Sequence, residues 1–212
     1  LNQGAAAGGG AHLDLRGLAP AEIEGIDDEK LSILARVLRG LAFTAVDSAN
    51  SGHPGGSSSK TEMALALLAS GVLRFDATRP KHPGRDRIVW SAGHCSPLFH
   101  ALISLVYECV RRRTPGVCAS LRETITYPEN LPAFRSLNGP SGHVESEYPF
   151  ADACTGSSGH GICAGLGLAA LHRSCGLPTK VFVFAGDAET EEGMTYEARN
   201  LASNLGIDNL VV

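Results

Sequence analysis

Apart from His160 in the glycine-rich segment below, three histidines in this chain directly follow a glycine: His53 in Ser51-Gly52-His53-Pro54-Gly55, His94 in Ser91-Ala92-Gly93-His94, and His143 in Ser141-Gly142-His143-Val144-Glu145. A carboxylate, Asp187, follows Gly186 where the apolar run Val181 to Phe184 breaks off. Imidazoles titrate near physiological pH and can exchange protons with a hydroxylated ligand. A carboxylate beside a glycine, which lets backbone approach closely, can hold a hard cation through oxygen. The glycine-rich segment Thr155-Gly156-Ser157-Ser158-Gly159-His160-Gly161 offers either a phosphate cradle or a plain tight turn.

These groups need a frame to bring them together. Val181-Phe182-Val183-Phe184 reads as a buried strand, with Met194, Ala198, Leu201, Ala202 and Leu205 as the apolar face of a helix beyond the break. Glu189, Glu191 and Glu192 fall where a helix N-terminus favours acids. In an open α/β sheet such a junction lies at the carboxyl end of a strand, where ligands bind; Asp187 there either ligates a cation or caps the helix.

Upstream, Leu31, Leu34, Ala35, Leu38, Leu41, Ala42 and Ala45 predict an amphipathic helix from Asp27 or Asp28 to about Ala49. Turn formers end it and carry His53, which sits between a glycine and a proline with no helix or strand face to fill; that setting favours ligand contact. A second helix is expected over 60–70, with Met63, Leu65, Ala66, Leu67 and Leu68 inward. Ile88-Val89-Trp90 predicts a strand that delivers His94, followed by a helix from Pro97 to about Cys109. Residues 114–150 read as irregular with short helices within 121–134, and a small-residue helix is expected from Ile162 to about Arg173. His12, His82, His100 and His172 lack a comparable setting and read as structural or surface residues.

Bulk properties narrow the class. The 212 residues suffice for one substantial core, and a formal charge of −4 carries no electrostatic footprint for nucleic acid. The basic run Arg111-Arg112-Arg113 ends an apolar helical pattern and reads as a solvated helix end. Six cysteines without a C-x-x-C pair read as reduced cytosolic thiols. With no apolar run of membrane-spanning length and no signal-peptide pattern, a cytoplasmic location is expected. The Gly- and Ala-rich start makes 1–27 a flexible lead, and Asp208 to Val212 begins an apolar strand, so that 28–212 reads as part of something larger.

Five segments occur together in one order: Ser51-Gly52-His53-Pro54-Gly55, Arg85-Asp86-Arg87 with Ser91-Ala92-Gly93-His94, Gly142-His143, Thr155-Gly156-x-x-Gly159-x-Gly161, and Gly186-Asp187 with Glu192-Gly193. In that order and spacing the chain resembles the transketolases, in their N-terminal, diphosphate-binding domain. The resemblance implies an α/β fold with a parallel sheet flanked by helices, thiamine diphosphate as cofactor, and Mg²⁺ or Ca²⁺ held by Asp187. It implies that His94, Gly156, Ser157, Ser158, Ala188 and Glu192 contact the cofactor or its surroundings. His53 and His143 would be the catalytic imidazoles, bonding sugar hydroxyls in two-carbon ketol transfer between ketose and aldose phosphates.

The same resemblance implies a pyrimidine-binding domain from a downstream region or a partner chain, in a homodimer or heterotetramer, without which the chain would be inactive. Two residues depart from the family pattern: Ala188 replaces the glycine after the metal-binding Asp, and His160 replaces a glutamine. If position 188 needs a positive φ, alanine costs on the order of 1 kcal/mol there. Competing readings are another thiamine diphosphate enzyme, such as the first component of a 2-oxoacid dehydrogenase or a deoxyxylulose phosphate synthase, and a non-catalytic homologue serving assembly or regulation. A pyruvate assay against a ketose phosphate assay separates the first from ketol transfer.

Overall fold

The computed structural model describes residues 27–212 apart from 115, 117, 119, 120 and 122–124. The lead expected over 1–27 therefore lies, but for Asp27, outside the described residues, as does His12. Helix α1, Asp28–Ala49, starts where the Asp27 carboxylate accepts from the Lys30 N–H at 2.9 Å. It ends at Asn50, whose φ of 46° is the left-handed turn that stops a helix. Ala35, Leu38, Ala42 and Ala45 are buried along one side, as the stripe predicted.

A short helix that the sequence reading did not foresee, α2 (Pro54–Ser59), follows His53 directly. It shifts the phase of the next helix, α3 (Thr61–Ala69), whose Thr61 hydroxyl bonds the Ser57 carbonyl at 3.0 Å. The buried side of α3 is consequently Thr61, Ala64 and Leu65, spaced i, i+3 and i+4; Met63 and Ala66, expected inward, face out.

Strand β1 (Arg87–Trp90) and helix α4 (Ser96–Arg113) flank a 3₁₀ turn at Gly93–Cys95. A second 3₁₀ turn, Pro128–Ala133, is the described part of the short helical structure expected in the irregular region. Helix α5 (His160–Ser174) leads to β2 (Val181–Phe184), then to a 3₁₀ turn at Ala188–Glu191, α6 (Gly193–Asn204) and β3 (Leu210–Val211).

The three strands are parallel in the order β1-β2-β3, with Arg87 opposite Val181 and Trp90 opposite Phe184. Period-2 alternation divides them between two cores. Ile88, Trp90, Phe182 and Phe184 pack with α1, α3 and α4 residues such as Leu38, Leu65, Phe99 and Leu102. Val89, Val181 and Val183 pack on the other side with Ile162, Leu166 and Ala169 of α5 and Ala198 of α6. Helices thus cover both faces, which is why the strands read as continuous apolar runs.

Helix α6 lies close to α5 through small residues: Ala198 is buried while Met194 and Ala202 are half-buried. Leu201 and Leu205, expected on that apolar face, are about half exposed, at 49% and 51%. At the amino ends of the strands, Arg85 forks onto Asp152 with bonds of 2.8 and 2.6 Å, and Asp152 also accepts from the Ile88 N–H. Asp86 accepts from the N–H groups of Arg74 and Lys180, both at 2.8 Å. These charges brace the sheet from below.

Candidate functional site

Because β1 and β2 are parallel and Trp90 pairs with Phe184, the segments leaving them emerge side by side at one edge of the sheet. The ladder extends one step further, where the Ala92 N–H donates to the Phe184 carbonyl at 3.1 Å. Ser91 to His94 and Ala185 to Glu192 are therefore neighbours, as the position of a site at the carboxyl ends requires.

The glycine-rich loop closes on the β1 segment. Thr155 donates its hydroxyl to the Trp90 carbonyl at 2.6 Å. A Cβ on Gly93 would stand 2.6 Å from Thr155 Oγ1, and one on Gly161 would stand 2.3 Å from Ser91 Cα. Only glycine permits these two contacts. Helix α5 begins two residues earlier than predicted, at His160.

The three sequence-predicted histidines meet here. The rings of His53 and His94 lie edge to face with centroids 5.2 Å apart. The Cα of Gly156 faces the third ring: a Cβ there would be 3.5 Å from His143 Cδ2. His53 and His143 are exposed and His94 is half-buried. Burial lowers the His94 pKa, and the neighbouring His53, Lys60 and His143 charges lower it further, against an opposing pull from Glu189. His94 is thus a neutral imidazole at physiological pH.

Asp187 and Ala188 are exposed at the end of β2. The Asp187 carboxylate makes no capping bond, which removes the helix-cap alternative, and it has no hydrogen-bond partner among the described residues. The non-glycine residues with positive φ among the described residues are Asn50, Arg135 and Phe150, so Ala188 carries no left-handed strain. Glu192 is exposed at the start of α6.

Two charged residues of the site escaped the sequence reading. Glu189, expected only as an acid at a helix start, is 3% exposed. Its Oε1 accepts from the Ser91 hydroxyl at 2.7 Å and the Gly159 N–H at 2.9 Å, and its Oε2 from the Gly186 N–H at 2.6 Å. One carboxylate therefore ties the ends of both strands to the start of α5. Its short sequence separation from two exposed acids, Glu191 and Glu192, hid it. Lys60 is buried at 7% exposure and lies against Cys95, whose thiol pKa burial pushes up. The sequence signal for Lys60 was slight, a lysine at the start of an apolar helix after Ser57-Ser58-Ser59.

A metal and a diphosphate fit what is present. Among the described residues no group of three or more His, Cys, Asp or Glu side chains forms a cation cage. Mg²⁺ commonly takes one or two protein carboxylates with the remainder of its shell from phosphates and water, a demand that one free carboxylate at Asp187 meets. Gly156, Ser157 and Ser158 are exposed, their N–H groups have no backbone partner among the described residues, and Gly156 lies beside the His143 ring, an arrangement that suits anionic oxygens.

A parallel sheet covered on both faces, with loops and free donors at the carboxyl ends of its strands, defines a cofactor-binding domain of the open α/β class. The family described as "Transketolase, thiamine diphosphate binding domain" matches residues 31–212, and the chain belongs to it. Among relatives, it is 35% identical over 187 residues to a transketolase of Rhodobacter capsulatus, covering 84% of this chain and 26% of that protein. It is 32% identical over 196 residues to Transketolase 1 of Saccharomyces cerevisiae, covering 87% and 26%. Among solved structures, the transketolase of Pichia stipitis in complex with sedoheptulose-7-phosphate superposes with a TM-score of 0.71 at 30% identity, over 85% of this chain and 26% of that one. The transketolase of Campylobacter jejuni gives 0.70 at 28% identity, over 87% and 28%. The chain thus spans about a quarter of the length of these relatives. Among the described residues no helix is long and apolar enough to cross a membrane.

Proposed function

We propose that residues 28–212 hold Mg²⁺ or Ca²⁺ and the diphosphate of thiamine diphosphate, and serve two-carbon ketol transfer between ketose and aldose phosphates in the cytoplasm. The observation that carries this reading is the convergence of His53, His94, His143 and the Gly156–Ser158 amides beside the segment that bears Asp187. When bound, thiamine diphosphate supplies the carbon nucleophile and the electron sink for carbon–carbon cleavage.

The chain's own residues do the rest. Asp187 contributes a carboxylate oxygen to the cation, and the amides of Gly156, Ser157 and Ser158 donate to anionic oxygens. His94, held neutral by burial and by its charged neighbours, donates one N–H toward the diphosphate without adding a charge that would need compensation. His53 and His143, exposed at the rim, hydrogen-bond sugar hydroxyls and pass protons to and from them. Ala188 and Glu192 lie on the same exposed segment, where Ala188 would border a bound diphosphate and Glu192 would lie near the cofactor and a partner surface.

Site groups this exposed need a cover to exclude water, and a pyrimidine-binding domain in a homodimer or heterotetramer supplies it. The test is calorimetry with Mg²⁺ and thiamine diphosphate on that assembly, followed by assays with a ketose phosphate and with pyruvate. Metal-dependent cofactor binding and turnover of the ketose phosphate alone are expected. Absence of cofactor binding, or turnover of pyruvate in its place, would sink the proposal.

A further inference from the structure

Among the described residues Arg135 is one of three non-glycine residues with a positive φ, 63°, a conformation that is strained for an L-residue. Such strain persists where the surroundings over-determine it. Here they do: the preceding Phe134 is buried with Ala45 and Leu131, and the Arg135 N–H donates to the Pro140 carbonyl at 2.8 Å. The side chain is thereby aimed at two segments far apart in sequence. Its Nη1 donates to Ser51 Oγ at 2.5 Å, two residues before His53. Its stem crosses Gly142, one residue before His143, so closely that a Cβ there would stand 2.7 Å from Nε.

Each of those segments is fixed separately on its other side. Gly52 packs on Val46 of α1, and the Ser96 hydroxyl of α4 donates to the Gly142 carbonyl at 2.7 Å. No hydrogen bond among the described residues runs directly between Ser51–His53 and Gly142–His143; Arg135 is the link.

We propose that Arg135 is a positioning residue that sets the spacing between His53 and His143, and with it the register in which a sugar is gripped from both sides. The inference rests on the reading of both imidazoles as sugar contacts. A misplacement of about 1 Å in such a pair can lower turnover by on the order of 100-fold, so a strained backbone that removes the slack is worth its energy. Arginine suits the task because its stem and Nε lie across Gly142 while an Nη of its planar fork still reaches Ser51.

The test uses Arg135→Met, Arg135→Lys and Ser51→Ala in the complete assembly, with two independent readouts. In amide hydrogen exchange, Arg135→Met should raise exchange in 50–54 and 140–144 together while β1, β2 and α5 stay as they are. In steady-state kinetics it should lower kcat for ketol transfer by roughly 10- to 100-fold with little change in KM, Arg135→Lys should recover part of that, and Ser51→Ala added to Arg135→Met should cost nothing more. Exchange that rises in one segment only or in neither, or kcat that is unchanged while both segments loosen, overturns the inference. If the unaltered assembly transfers no ketol unit, the functional reading fails by itself, and the exchange arm still decides whether Arg135 couples the two segments.

Discussion

Ser91 Oγ and Glu189 Oε1 are 2.7 Å apart although 98 residues separate them, and the bond is buried. Losing the carboxylate leaves the Ser91 hydroxyl and the N–H groups of Gly159 and Gly186 without acceptors. At about 1–3 kcal/mol for each unsatisfied buried group, Glu189→Ala should lower stability by at least ~3 kcal/mol, and Ser91→Ala by about half as much. Chemical denaturation of the two variants checks this, and equal losses would show that Glu189 does not join three segments.

Arg85 and Asp152 are nearly buried, with side-chain exposures of 3% and 10%. Removing the acid strands a buried guanidinium, so Asp152→Ala should cost roughly 3–5 kcal/mol. The same measurement should find Glu62→Ala, which breaks an exposed pair with Arg39, within about 1 kcal/mol of the parent. A small loss at Asp152 would mean that the brace beneath the sheet is redundant.

Asp187 is exposed and makes no side-chain bond that the fold needs. Asp187→Asn should leave stability within about 0.5 kcal/mol while abolishing Mg²⁺-dependent binding of thiamine diphosphate. Titration calorimetry beside a thermal melt separates the two effects. Full cofactor affinity in this variant would assign the cation elsewhere.

Among the groups that act on His94, burial and the charge of His53 both lower its pKa. Deleting His53 removes a like charge, so the His94 pKa should rise in His53→Ala. Ring resonances followed through a pH titration report it directly. A value that stays put or falls would contradict the 5.2 Å ring contact.

His100 is fully buried, with Nε2 3.0 Å from the Ser141 carbonyl and Nδ1 3.0 Å from Thr126 Oγ1. A carbonyl only accepts, so Nε2 carries the proton and Nδ1 accepts from the threonine. Burial pushes the His100 pKa down to about 3, against about 6.5 in an unfolded chain. Between those values the unfolded state takes up a proton that the folded state refuses. Stability should therefore be complete above about pH 6.5 and fall toward pH 3, by at most ~1.4 kcal/mol per pH unit from this residue. The fall between pH 7 and pH 4.5 should be shallower in His100→Gln, with His172 maintaining part of it because burial lowers its pKa as well. An unchanged slope would remove His100 from the account.

The frame was legible because its signals are local. The stripe of α1 follows from helical period and the strands from short unbroken apolar runs, and Gly52, Gly93 and Gly142 marked the loops that carry the imidazoles. What stayed hidden depends on contacts across the chain. The phase of α3 hangs on the unforeseen turn of helix before it, and the outward Leu201 on how small residues let α6 approach α5. Glu189 and Arg135 look like ordinary surface charges until folding sets one under the glycine-rich loop and the other between Ser51 and Gly142. A sequence states which residues are charged, but partners tens of residues away decide which of them are structural.

The brace of Arg85, Asp86 and Asp152 lies at the amino ends of the strands, and the imidazoles at the carboxyl ends. What keeps this domain folded is thus largely housed away from what would confer its reactivity. Substitutions at His53, His143 and Gly156 to Ser158, all exposed, should leave the fold standing, Glu189 being the position to leave alone. Divergence of the upper rim over an unchanging floor is the pattern such an arrangement allows.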